Sequence, residues 1–160
     1  MPAHAAALLR GTPVGVTEYL QADVRDPDAI IEGARRILDL DRPVALSLVA
    51  LLHFIPHEDG AHALVSRLLS ALPSGSYLMT THATADFTPE ESAAAVGKLK
   101  AAGVTLALRS REEFARFFTG LDVVDPGVEI VHKWHPDLGE PVPGQVDGVI
   151  PGYGAVARKP

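Results

Sequence analysis

The chain has 160 residues, with 14 Lys plus Arg against 20 Asp plus Glu, a formal charge of -6 and 47% hydrophobic residues, the composition of one soluble globular domain over 1–160. Its acids are scattered, so nucleic acid and anionic membrane are poor partners, and the lack of cysteine excludes disulfides and thiolate metal sites and is compatible with a reducing cytoplasm. The longest apolar run, residues 43–55, carries Ser47 and His53 and is too short to span a bilayer, while "MPAHAAALLRG" places its arginine after its apolar residues, unlike a signal peptide.

In chain order, "EYLQAD" (residues 18–23) reads as a strand that feeds a helix capped by Asp26 with Pro27 at its first position. Ile30, Ile31, Ala34, Ile37 and Leu38 recur at helical spacing and give this helix one apolar face. "VALSLVALLHFI" (residues 44–55) is apolar at alternate positions of both parities, the pattern of a central strand covered on both faces. Ala61, Leu64, Val65, Leu68, Leu69 and Leu72 mark an amphipathic helix stopped by Pro73 and Gly75, and the strand "SYLMTTHAT" follows. Thr88, Pro89 and Glu91 form a capping-box start for a helix ending near Gly103. Ser110 with Glu113 starts another, carrying Phe114, Phe117, Phe118 and Leu121. "VEIVHKW" and "GYGAVARK" are strand-like, separated by the Pro- and Gly-rich "HPDLGEPVPGQVDGVIP", a candidate lid.

Strands alternating with helices imply an α/β fold with a parallel sheet, whose ligands sit beyond the carboxyl ends of the strands. Three strands then deliver polar groups to one rim: Asp23, Val24 and Arg25 from the first, His53, Pro56, His57, Glu58 and Asp59 from the second, His82 and Thr84 from the third. His53 and His82 are the rim groups that titrate near neutrality, which makes them the candidate general bases. The plainer reading is that each satisfies a backbone carbonyl or packs on a ring. Leu52 and Phe54 read as wall and core, and Trp134 as a packing anchor or one wall of an acceptor pocket.

Several motifs point nowhere. His57 with His62, and His132 with His135, have no carboxylate at ligand spacing and read as surface histidines, so no metal is expected. "GYGAVA" fits G-x-G-x-x-A, but only Arg158, Lys159 and Pro160 remain to form the helix that such a loop must open. No G-x-S-x-G elbow occurs, which argues against an α/β-hydrolase.

The stretches "LLRGTPVGVTEYLQADVRDPDAII", "LDLDRPVALSLVALLHFIPHED", "LLSALPSGSYLMTTHAT", "RSREEFARFFTGLDVVDPGVEIVHKWHPD" and "GYGAVARKP" follow one another over nearly the whole chain. Together they resemble an actinobacterial family of S-adenosylmethionine-dependent methyltransferases formerly catalogued as a domain of unknown function. The resemblance implies a Rossmann-like methyltransferase sheet, mostly parallel, with an antiparallel last strand tucked beside the penultimate one. It also implies S-adenosyl-L-methionine as cofactor and an unidentified small-molecule acceptor. Asp23 would accept from the adenine amino group, the Val24 N–H would donate to the ring, and Arg25, Leu52 and His53 would complete the cofactor site. Transfer of a methyl group from a sulfonium is largely a matter of alignment, so site residues need not look reactive.

The chain also departs from that family. The family's glycine-rich cofactor loop and ribose-binding acid precede the counterpart of Met1, and "MPAHAAALL" resembles the helix after the second strand. The expectation is therefore a fold truncated at its N-terminus that binds the cofactor weakly by itself. Two strands missing from the sheet would leave an exposed edge. Residues 18–23 are expected to shift beside 44–55 and fill it, or else the chain self-associates there. The alternative to an enzyme is a non-catalytic remnant or interaction module with the same fold.

Overall fold

The structure, a computed structural model, describes residues 15–139 and 151–160. The expected helix of "MPAHAAALL" and most of the candidate lid lie outside the described residues. Helix α1 (Pro27–Arg35) starts as anticipated, with the Asp26 carboxylate accepting from the Ala29 N–H at 3.1 Å and Pro27 in the first turn. Strand β1 (Ala45–Leu48), helix α2 (Ala61–Ser70) and strand β2 (Tyr77–Ala83) follow as a parallel βαβ unit, Ala45 opposite Tyr77 and Leu48 opposite Thr80. Next come helix α3 (Pro89–Ala101), helix α4 (Arg111–Ala115) running into a 3₁₀ turn, the short strands β3 (Asp122–Val123) and β4 (Glu129–Ile130), and strand β5 (Gly152–Arg158). Among the described residues the sheet order is β1-β2-β5-β3, with β4 also paired to β5.

The last strand is antiparallel to β2, from Tyr77 opposite Arg158 to Ala83 opposite Gly152, and also to the short strands β3 and β4. It carries the "GYGAVA" pattern for a packing reason. A side chain at Gly152 would come within 3.1 Å of the His82 carbonyl, and the Val131 side chain lies over both Gly152 and Gly154. The sheet buries one face. Leu78, Thr80 and His82 of β2 alternate with half-exposed Tyr77 and Met79, and Tyr153, Ala155 and Ala157 of β5 bury on the same side. Against that face pack Leu64, Val65 and Leu68 of α2 and Phe114, Phe117 and Phe118.

Three expectations are corrected. Residues 18–23 form no strand, and β1 pairs only with β2 among the described residues. Leu20 instead rests on Gly33 of α1, where a larger side chain would require Leu20 to shift. A gap of about 150 Å³ lies between Ile30, Ala34 and Leu38 on one side and Ala45, Leu46 and Ser47 of β1 on the other. The second correction concerns 44–55, which is not one long strand and, among the described residues, lies at the edge of the sheet. Ala45 and Ser47 are exposed while Leu48 is buried, a one-faced pattern that counting alanine as apolar had hidden. The strand ends at Leu48 because β2 side chains take its next backbone groups. The Thr80 hydroxyl donates to the Leu48 carbonyl at 2.8 Å, Thr81 Oγ1 accepts from the Ala50 N–H at 2.9 Å, and Ala50 turns at a φ of 52°. Third, α3 begins at Thr88 without a capping hydrogen bond from its side chain, and "VEIVHKW" is strand only at Glu129–Ile130 before a 3₁₀ turn.

Candidate functional site

The turn after β1 is a 3₁₀ turn (Leu52–Phe54), so His53 does stand just beyond a strand's carboxyl end. Leu52 and Ile55 anchor the turn in the core, at 0% and 1% exposed, whereas His53 is half-buried between them. The His53 ring lies edge-on to that of His82, their centroids 5.8 Å apart. Its Nδ1 is enclosed and has no hydrogen-bond partner. Burial, reinforced by the neighbouring Arg109 charge, pushes its pKa below the ordinary 6.5, so the ring is neutral at pH 7.

His82 is committed to the interior. An arginine N–H only donates, so the 2.6 Å contact of Arg109 Nη1 with His82 Nε2 makes that nitrogen the acceptor. The ring proton therefore sits on Nδ1 and donates to the Ala83 carbonyl at 2.8 Å. Burial first, and then the Arg109 charge, carries the His82 pKa down to about 4, the Ala83 bond opposing the shift. Phe117 stacks on His62 with centroids 4.1 Å apart and also lies 5.3 Å from the Arg109 guanidinium carbon. His62 too is pushed below its ordinary pKa, by burial, Arg109, His57 and Arg116 in that order.

The third contributor to the rim is the turn at Asp23–Arg25. Asp23 Oδ1 accepts from the Arg25 N–H at 2.9 Å, and the Asp23 carbonyl accepts from the Asp26 N–H at 2.9 Å, which fixes the turn that leads into α1. Arg25 Nε approaches Asp59 Oδ2 at 3.6 Å, and this contact brings the turn to the loop beyond His53. The Asp23 side chain is 62% exposed. Its Oδ2 and the Val24 N–H make no hydrogen bond to a described residue, which leaves an acceptor beside a donor, the pattern that an adenine edge requires. Leu52 offers no side-chain surface, and its carbonyl already receives Arg109 and the Ile55 N–H.

The remaining candidates fall away from this rim. His57 and His62 have ring centroids 5.5 Å apart, but no group of three potential metal ligands exists among the described residues. His135 Nε2 bonds the Asp125 carbonyl at 2.8 Å, and Trp134 donates to the Gly127 carbonyl at 3.2 Å on the open side of the sheet. A cavity of about 400 Å³ opens elsewhere, between α2 and residues 116–121. It reaches neither Asp23 nor His53, and Lys159 at its end donates to the Leu69 and Leu72 carbonyls.

Sequence reasoning missed Arg109. In "LALRSREEF" it is a lone cation between an apolar segment and the residue that caps a helix, and that isolation was the available signal. It also missed Asp86, whose Oδ2 accepts from the Arg111 N–H at 3.0 Å and from the Tyr153 hydroxyl at 2.9 Å. Burial and this bond push Tyr153 up to about 12. The pair ties the loop after β2 to the last strand.

A parallel βαβ unit with polar groups beyond its strand ends, and an antiparallel final strand inserted beside β2, defines the class as a Rossmann-like methyltransferase. The family described as S-adenosyl methyltransferase matches residues 1–160, and the chain belongs to that family. A DUF574 family protein from Streptomyces avermitilis is 46% identical, with a TM-score of 0.92 over 98% of this chain and 60% of that one. A protein from Thermobifida fusca is 34% identical, with a TM-score of 0.82 over 98% of this chain and 58% of that one. An O-methyltransferase family protein from Burkholderia thailandensis shares the fold alone, at 14% identity and a TM-score of 0.55 over 89% of this chain and 35% of that one. The chain thus spans about 60% of the length of the first two relatives. No curated protein is a significant match.

Proposed function

We propose that the chain forms the adenine- and acceptor-facing part of an S-adenosyl-L-methionine-dependent methyltransferase that acts on a small-molecule acceptor. The observation that carries this reading is the Arg25–Asp59 contact, which draws the Asp23–Arg25 turn and the loop beyond His53 together at one end of the fold. Asp23 Oδ2 accepts from the adenine amino group and the Val24 N–H donates to the ring, while Arg25 keeps the turn against the loop. The cofactor supplies the methyl group. His53, half-buried just beyond the end of β1 and neutral at pH 7, takes a proton from an acceptor hydroxyl or amine in this reading. His82, the other candidate base, serves this reading as its structural neighbour, since both of its ring nitrogens are occupied.

Titration calorimetry tests the assignment. The 160-residue chain is expected to bind S-adenosyl-L-methionine more weakly than micromolar, because the contacts assigned to it address only the adenine end of the cofactor. In a protein of the relatives' length, Asp23→Ala is expected to lose about 1 to 3 kcal/mol of cofactor binding, the range for one hydrogen bond to a charged acceptor. His53→Ala should instead lower turnover. Equal cofactor affinity for Asp23→Ala and the unsubstituted protein removes the adenine assignment.

A further inference from the structure

Arg109 is 5% exposed, yet none of its described hydrogen bonds goes to a carboxylate. Nη1 donates to the Leu52 carbonyl at 3.1 Å and to His82 Nε2 at 2.6 Å, and Nη2 donates to the Ile55 carbonyl at 3.0 Å. A buried cation is costly, and here backbone carbonyls, an imidazole and the Phe117 ring stand in for an ion-pair partner. Those acceptors bracket His53. Its own carbonyl receives the Ala107 N–H at 2.8 Å, so residues 52, 53 and 55 are all held from one short segment, 107–109. The same segment joins β2, the Arg109 N–H donating to the Ala83 carbonyl at 3.3 Å.

We infer that Arg109 is a positioning residue for the candidate methyl-transfer site: it clamps the turn that carries His53 and occupies His82 Nε2, so that of the two histidines only the His53 ring is not committed through both nitrogens. The inference rests on the reading of His53 as the acceptor-facing base. The planar guanidinium suits the task because it spans three acceptors in fixed directions, which a lysine ammonium on a flexible stem does not. Among the described residues, the charged and titratable groups set against His53 are Arg109 and His82.

Long-range ¹H–¹⁵N NMR of the purified chain tests this without substrate. His82 is expected as the Nδ1–H tautomer, neutral through the physiological range, and His53 as a single tautomer. Arg109→Lys keeps the positive charge and breaks the bracket. It should mix the His53 tautomers and speed amide exchange at Phe54 and Ile55 about tenfold, the scale of one lost hydrogen bond in a local opening. The paired amides of β2 and β5 should keep their protection. A folded Arg109→Lys chain with unchanged His53 ring shifts and unchanged exchange at Phe54 and Ile55 overturns the inference. Where the substituted chain does not fold, the unsubstituted spectrum decides: an Nε2–H tautomer at His82 overturns the clamp, and the Nδ1–H form supports it. Equal cofactor affinity for Asp23→Ala in a protein of the relatives' length would sink the adenine assignment and leave these spectra as they are.

Discussion

His53 and His82 are near neighbours in different surroundings, and hydrogen bonding separates them. An imidazole whose Nε2 accepts from an arginine and whose Nδ1–H meets a carbonyl has no lone pair left, and protonating it would set two cations against each other in a buried site. This has a consequence for stability. The folded pKa of His82, about 4, lies below the ordinary 6.5 of the unfolded chain, so the unfolded state binds the proton more readily. The contribution is therefore complete above about pH 6.5 and is lost as the pH falls toward 4. His53 and His62 shift in the same direction. The unfolding free energy is expected to fall between pH 7 and 4.5, and His82→Gln, which keeps an acceptor facing Arg109 but cannot titrate, should reduce that fall by about 2 kcal/mol. Parallel pH profiles for the two proteins would contradict the assignment. Carboxylates also titrate in this window, which is why the difference between the profiles, rather than either one, carries the test.

At the scale of the elements, the helix starts differ in a measurable way. Ser110 caps α4 reciprocally, its hydroxyl accepting from the Glu113 N–H at 3.2 Å while the Glu113 carboxylate accepts from the Ser110 N–H at 2.8 Å. That carboxylate is accordingly pulled below its ordinary pKa by the Ser110 backbone bond. Thr88 stands at the same position of α3 and caps nothing. Ser110→Ala is expected to cost about 1 kcal/mol in urea unfolding and Thr88→Ala only a few tenths, by the usual value of a capping hydrogen bond. Equal losses would mean that the box adds nothing. The aromatic element after Ser110 matters more. Phe117 is 4% exposed and joins α2, His62 and Arg109, so Phe117→Ala should cost about 3 to 5 kcal/mol, the range for deleting a core aromatic. Retained stability in that variant would show that the cluster can collapse around the cavity.

Among the described residues the sheet has one helix-covered face and a second that is only partly covered. Tyr77 and Met79 are each 40% exposed there, and β1 has no strand on its outer side among the described residues. Such an edge is a template for another chain. Self-association of the 160-residue chain is the expected outcome, read as a mass that rises with concentration in light scattering. Ser47→Pro, which removes a donor from β1, should reduce it. A concentration-independent monomer mass would set the idea aside.

The α/β class, α1 with its Asp26 cap, α2, β2, the Ser110 capping box and the final strand were legible in the amino-acid sequence, because each rests on local periodicity or on a cap within four residues. So was the antiparallel last strand, through the family resemblance, and the arrival of His53 just past a strand end. The failures share one cause. Residues 18–23 have strand-like side chains but pair with no strand among the described residues, and 44–55 is apolar throughout yet broken after Leu48 by hydroxyls of β2, which is distant in sequence. Arg109 reaches carbonyls more than fifty positions away, and no local pattern announces that. The division between His53 and His82 likewise depends on which ring nitrogen meets which neighbour. Local propensity and pattern thus determined which elements exist. Tertiary packing decided where they stop and which side chains remain available, because a backbone group or ring nitrogen is committed only by the partner that the fold brings within hydrogen-bond distance.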